Sequence, residues 1–200
     1  MGNHKLYLYP LWLRLWHVTN ALLCLTLMFT GGFMHFGSNI ISFAIAVKIH
    51  NVVGIILLVN YTIFVFGNLI TNNGNHYILI FKGLFKRIFT QLRYYSFGMF
   101  KGEETPFPVS EENKFNPVQQ ITYYSIMYAL LPILGITGIA MLFPEKVIFE
   151  LFSIKGIVLI DFVHLIGGFC IVLFLVIHLY FSTVGEKISS HFKSIVTGWH

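Results

Sequence analysis

The sequence predicts an all-α integral membrane protein, a four-helix bundle with an interfacial amphipathic helix in its one long loop. Three observations carry that expectation. Of the 200 residues, 56% are apolar and only 10% are charged, against about 45–50% and about 25% in soluble domains. So few charges cannot cover a globular surface in water, which excludes a soluble enzyme. Four apolar stretches, at about residues 11–36, 43–70, 120–143 and 156–184, are each long enough to cross a bilayer. Finally, the basic residues between these stretches are unevenly shared, as a fixed orientation in a membrane requires. The chain reads as a single domain over residues 1–200, with no internal repeat and no low-complexity tract.

The first span, from Leu11 to Phe36, is too long and too rich in Arg14, His17 and Asn20 for a cleaved signal peptide, and no small-x-small cleavage site follows it. It is expected to be a retained helix. The second span runs from Phe43 to Ile70 and is followed by a loop of about 49 residues, Thr71 to Gln119. Between Tyr77 and Arg93, residues Ile78, Phe81, Phe85, Ile88, Phe89 and Leu92 share one helical face. Lys82, Lys86 and Arg93 fall opposite, and Arg87 and Gln91 flank the apolar arc. That is the pattern of a basic helix lying in the membrane interface; a helix packed on a partner protein has the same pattern. Glu103–Lys114, with Pro106 and Pro108, reads as a flexible or partner-ordered connection to the third span. The third and fourth spans are Gln120–Phe143 and Gly156–Val184.

Orientation follows from Lys and Arg. The N-terminal segment with Arg14, the long loop and the C-terminal tail hold ten: Lys5, Arg14, Lys82, Lys86, Arg87, Arg93, Lys101, Lys114, Lys187 and Lys193. The opposite side holds three, Lys48 near the start of the second span and Lys146 and Lys155 in the loop before the fourth. Both termini and the long loop are therefore expected in the cytoplasm. The net charge of +5 is scattered between apolar runs rather than gathered on one face, so no nucleic-acid partner is expected. Cys24 and Cys170 both lie inside apolar runs, which argues against a disulfide. The absence of Cys-x-x-Cys-His excludes covalently attached c-type haem.

Histidines carry the functional signal. Of nine, four lie well inside spans, His17, His50, His164 and His178, and His35 stands at the very end of the first. An ionisable group in a membrane span is costly and points to function, although one neutral imidazole can also satisfy itself on a neighbouring helix. His164 and His178 are 14 residues apart, nearly four turns, so they share a face at a separation of roughly 21 Å. With the termini inside, His164 lies at the outer level and His178 at the inner level. His17, near the start of the first span, lies at the inner level, and His50, near the start of the second, at the outer level. Depth therefore pairs His17 with His178 and His50 with His164. His35 shares a face with His17 but falls about 6 Å beyond the outer level, so it is expected to be an interfacial residue.

Two histidines facing each other from different helices, with no carboxylate or thiolate set nearby, suit the axial positions of a haem iron better than four-ligand zinc. Such a centre has no open position and moves electrons. Gly31, Gly32, Gly54, Gly167 and Gly168 lie near these levels, where small residues admit a flat macrocycle or a neighbouring backbone. Arg14, three residues before His17, is placed to pair with an inner haem propionate or to snorkel as a topology marker. Asp161, one turn before His164, is expected near the outer surface, with a role in proton handling or partner docking.

These residues also carry a family likeness. Tyr9-Pro10-Leu11, Arg14-Leu15-Trp16-His17, Asn20-Ala21, Thr30-Gly31, Ala46-Val47, His50-Asn51 and Gly54 resemble the membrane cytochrome b subunits of the bacterial cytochrome b561 and nickel-hydrogenase superfamily. Phe100-Lys101-Gly102-Glu103 and Lys114-Phe115-Asn116-Pro117-Val118-Gln119 resemble the loop before the third span in the thiosulfate reductase cytochrome b and formate dehydrogenase gamma types. The likeness covers essentially the whole chain. It implies a di-haem b protein of the bacterial inner membrane, with the inner haem on the first and fourth spans and the outer haem on the second and fourth. It also implies a quinone, menaquinone or ubiquinone, at the inner end near His178 and Asn116. Val118 stands where the formate dehydrogenase pattern has Gly, which bears on the quinone pose.

Asn116 and Gln119 precede the third span at the level of His178, and their amides can donate to quinone carbonyls. Asn116 followed by Pro117 equally reads as a helix cap. The function this implies is electron transfer between a quinone and an outer-face redox subunit, which would be an iron–sulfur, molybdopterin or multihaem c protein. A stand-alone superoxide:quinone oxidoreductase of the small b561 kind is the alternative, and the long inner loop favours the partnered reading.

Overall fold

The structure is a computed structural model that describes residues 6–199 except 38, 112 and 185–189, so Lys5 and Lys187 of the charge count lie outside the described residues. Four long helical segments cross in alternating directions: α1 (Leu11–Phe36), α2 (Phe43–Ile70), a third formed by α4 (Pro117–Ser125) and α5 (Leu131–Leu142), and α6 (Gly156–Ser182). All four are long and apolar enough to span a membrane. α3 (Leu84–Arg93) lies in the long loop and α7 (Ser190–Thr197) follows α6. A two-residue hairpin, β1 (Glu150–Leu151) with β2 (Ile154–Lys155), closes the loop before α6.

Burial in this bundle is the reverse of a soluble core. Leu11, Leu15, Leu22, Phe29, Ile63, Phe66, Leu173 and Val176 are exposed, whereas Thr30, Asn60, Asn68, Gln120 and Thr137 are buried. Apolar side chains turn outward because lipid is their solvent, and the polar ones face inward, where Thr30, Asn68, Thr137 and the Gln120 amide nitrogen hydrogen-bond within the bundle. A cluster of Leu13, Trp16, Phe64, Tyr77, Met127, Leu131 and Ile171 packs the interior near the end that carries the termini. Trp16 stacks on Phe64 with ring centroids 4.3 Å apart, and its indole N–H donates to the Asn60 carbonyl at 3.0 Å. Gly67 lets α1 and α2 approach closely, since a Cβ there would stand 2.7 Å from the Trp12 ring.

The third span begins at Pro117, three residues before the expected Gln120, because Asn116 caps it. Midway, Pro132 offers no N–H to the Tyr128 carbonyl, and residues Ile126–Leu130 widen into a π-helical turn. The expected ends Phe143 and Val184 are Leu142 and Ser182.

The interfacial helix is shorter at its start than the Tyr77–Arg93 pattern predicts. Residues 72–77 form a 3₁₀ helix and α3 starts only at Leu84, after Gly83 in the left-handed region at φ 65°. It then continues through a π turn and a 3₁₀ turn to Lys101, where Gly102 ends it at φ 72°. Phe85 and Phe89 are exposed along it, as a membrane-facing stripe requires. Gln91, expected beside the apolar arc, is fully buried instead, because α3 packs this flank against α4.

The two chain ends meet. Tyr7 and Trp199 form a β-bridge with rings 5.0 Å apart, and Leu8 N–H donates to the Gly198 carbonyl at 2.9 Å. Both segments therefore lie at one end of the bundle, with the starts of α1 and α4 and the ends of α2 and α6.

Candidate functional site

The helices place the four span histidines in two opposed pairs. His17 of α1 faces His178 of α6 with ring centroids 6.3 Å apart at an interplanar angle of 48°. His50 of α2 faces His164 of α6, also at 6.3 Å, with planes at 70°. The first pair lies at the end carrying the termini and the second towards the opposite end. His35 joins neither pair; it packs edge-on against Phe36 and Phe169.

A centroid separation of 6.3 Å has a simple chemical meaning. At that separation a metal ion between the facing rings would be within reach of one nitrogen from each, since imidazole nitrogens bind metals at about 2.0–2.1 Å. Among the described residues no group of three or more His, Cys, Asp or Glu converges to hold a metal ion. Two opposed imidazoles without a third ligand suit the axial positions of a haem and do not suit zinc.

Around the second pair, polar partners define the rings. His50 Nδ1 lies 2.9 Å from Thr30 Oγ1, and His164 Nδ1 lies 2.8 Å from Thr137 Oγ1. With Nδ1 held, Nε2 is the nitrogen free to face the opposite ring. Gly31 and Gly138 follow the two threonines and lie against the same rings, where added Cβ atoms would stand 3.5 and 3.3 Å from His50 Cε1 and His164 Cε1. Gly168, one turn from His164, has nothing within 4 Å of an added Cβ, whereas Gly167 is packed against Leu134 and Leu130, and Gly54 against Leu27. Thus Gly31 and Gly138 lie against the pair, and Gly167 serves helix contact. Thr137 and Gly138 carry no sequence signal of their own, because no fixed spacing ties them to His164.

Around the first pair, Phe174 stacks on His178 at 5.4 Å and Tyr123 Oη lies 3.5 Å from His178 Nδ1. Arg14 donates from Nη1 to the Val196 carbonyl of α7, while its Nε is buried without a partner among the described residues. That unpaired N–H, one turn from His17, suits a haem propionate.

The loop residues meet at the same end. Asn116 Oδ1 accepts from the N–H groups of Val118 and Gln119 at 3.1 and 3.0 Å, and Gln119 Oε1 accepts from the Asn116 N–H at 3.2 Å, a full capping box. Asn116 Nδ2 donates to Tyr95 Oη at 2.7 Å. The cap uses both side-chain oxygens, so one amide hydrogen of Asn116 and the Gln119 amide nitrogen remain outside it. Tyr95 packs on Phe181 of α6 with centroids 4.5 Å apart, three residues from His178. Burial pushes the Tyr95 hydroxyl above its usual range, which keeps it protonated. On the other flank, Lys114 Nζ donates to Asn73 Oδ1 at 3.0 Å, and Asn73 Nδ2 donates to Asn68 Oδ1 at 2.7 Å.

A family model described as prokaryotic cytochrome b561 matches residues 8–198. The chain is also 39% identical over 201 residues to an Escherichia coli (strain K12) protein named "Putative cytochrome YdhU", across 99% of this chain and 76% of that protein. No solved structure matches the chain.

Proposed function

Since the chain belongs to the prokaryotic cytochrome b561 family, and is thereby a membrane electron-transfer protein of haem b, we propose that it passes electrons between a quinone and an outer-face redox subunit through two b haems. The observation that carries this reading is the pair of opposed imidazole couples at one separation, 6.3 Å, at two depths of the bundle. Haem supplies one-electron chemistry when bound, and the chain supplies its ligands and surroundings. His17 and His178 hold the inner haem, His50 and His164 the outer one, and Arg14 the inner propionate. The basic residues at the end carrying the termini support placing that end in the cytoplasm, with the protein in the bacterial inner membrane.

At the inner end, Tyr95, Asn116 and Gln119 form the proposed quinone site. Two carbonyl oxygens need donors; the Tyr95 hydroxyl and the two amides supply them beside His178. The capping box fixes where those donors point. Capping and quinone binding thus use different atoms of one side chain. An Asn116→Asp variant separates them, because the carboxylate keeps the capping oxygen but loses the amide donor. The expected result is unchanged haem content, full reduction by dithionite, and quinol-driven haem reduction slowed at least about tenfold, worth roughly 1.4 kcal/mol in the transition state. Stopped-flow absorbance at the haem α-band measures it. Unchanged rates here and in Gln119→Leu would move the quinone away from this site.

A further inference from the structure

Thr30 and Thr137 occupy equivalent places in the two helical hairpins, α1 with α2 and α5 with α6. Each stands on the first helix of its hairpin, is followed by a glycine, and touches the histidine near the start of the second helix. A threonine hydroxyl has one hydrogen. In Thr30 it is directed to the carbonyls of Thr26 at 2.8 Å and Leu27 at 3.2 Å, and in Thr137 to those of Ile133 at 2.8 Å and Leu134 at 3.1 Å. What each oxygen turns to its histidine is therefore a lone pair. With that hydrogen on a carbonyl, His50 and His164 donate from Nδ1–H across 2.9 and 2.8 Å, sharing the bond with the Leu27 and Leu134 carbonyls, and both Nε2 atoms are left bare.

We propose that Thr30 and Thr137 are positioning residues of the outer haem: they fix both axial imidazoles as the Nδ1–H tautomer and lower that haem's midpoint potential. The proposal rests on His50 and His164 being its axial ligands. An Nδ1–H that donates a hydrogen bond leaves more electron density on the ring and makes Nε2 a stronger base. A stronger base favours ferric over ferrous iron, so the potential falls. A hydroxyl that already donates is the better acceptor, since chained hydrogen bonds polarise one another. Among the described residues the inner pair has no such arrangement at His178, whose Nδ1 meets the more distant Tyr123 hydroxyl, 3.5 Å away. The effect belongs to the outer haem.

Thr30→Val and Thr137→Val remove the hydroxyl at near-constant volume, and Thr30→Ser and Thr137→Ser keep it. Redox titration of the full-length protein in membranes, followed at the α-band that disappears in His50→Ala, reads the outer potential. Each Val variant is expected to lower the oxidised-to-reduced ratio of the outer haem about tenfold at a fixed ambient potential, about 59 mV for one electron. The inner haem and both Ser variants stay at the wild-type values. Loss of the outer haem in a Val variant, with retention in the matching Ser variant, supports the same role. An unshifted outer haem in the Val variants, the same change in Val and Ser variants, or an equal shift at the inner haem overturns it. Retention of both haems in His164→Ala would instead overturn the ligand reading beneath it.

Discussion

Replacing either His50 or His164 by Ala is expected to remove the same haem, taking the content from about two haems per chain to about one by pyridine haemochrome assay. The two rings oppose each other at 6.3 Å and no other described His, Cys, Asp or Glu joins them, so neither can be substituted from within the site. His17→Ala and His178→Ala should remove the other haem, and the spectrum left in each case should be the complement of the first. His35→Ala should leave both, because its ring contacts are Phe36 and Phe169. Loss of different haems in the His50 and His164 variants would break the pairing. Loss of a haem in the His35 variant would identify that residue as a ligand.

The second large effect is steric. Gly138→Leu should abolish retention of the outer haem, with the inner haem unaffected. A Cβ at Gly138 already stands 3.3 Å from His164 Cε1, tighter than an ordinary contact, and three further carbons must displace the ring and break its bond to Thr137. Overpacking of this kind costs about 1–3 kcal/mol, and here the strain falls on the proposed ligand, whose orientation ligation would require. Gly31→Ala is the graded counterpart: its Cβ would sit at an ordinary 3.5 Å from His50, so both haems should remain. Haem content after purification, with the α-band resolved at low temperature, distinguishes the two. A Gly138→Leu protein with a full outer haem would show that the ring has room the packing denies.

The spans were legible because lipid demands long apolar runs, and the depth pairing because alternating helices and a 1.5 Å rise leave few choices. Asn116–Pro117 was legible as a cap from residue chemistry alone. The start of α3 was not: the apolar periodicity runs unbroken through Ile78 and Phe81, and only the left-handed backbone at Gly83 shows that the helix begins after it. Gln91 was misplaced for a related reason, since periodicity gives a face but not which neighbour covers it. The threonines that hold the outer rings were illegible as such. Thr30 is 20 residues from His50 and Thr137 is 27 from His164, so no shared spacing marks them.

The assignment of ligands to helices also has a consequence for connectivity. α6 carries a histidine of each pair, while α1 and α2 carry one each. Both proposed haems thus join the same two pieces of chain, the α1–α2 hairpin and the segment from α4 to α6, which are linked covalently through the long loop. A break in that loop between Gly102 and Lys114 would leave His17 and His50 on one fragment and His164 and His178 on the other. Neither fragment would have a complete axial set, whereas the two together would have both. With both proposed haems bound, the macrocycles would act as rivets across that seam, holding the two pieces together independently of the peptide between Gly102 and Lys114.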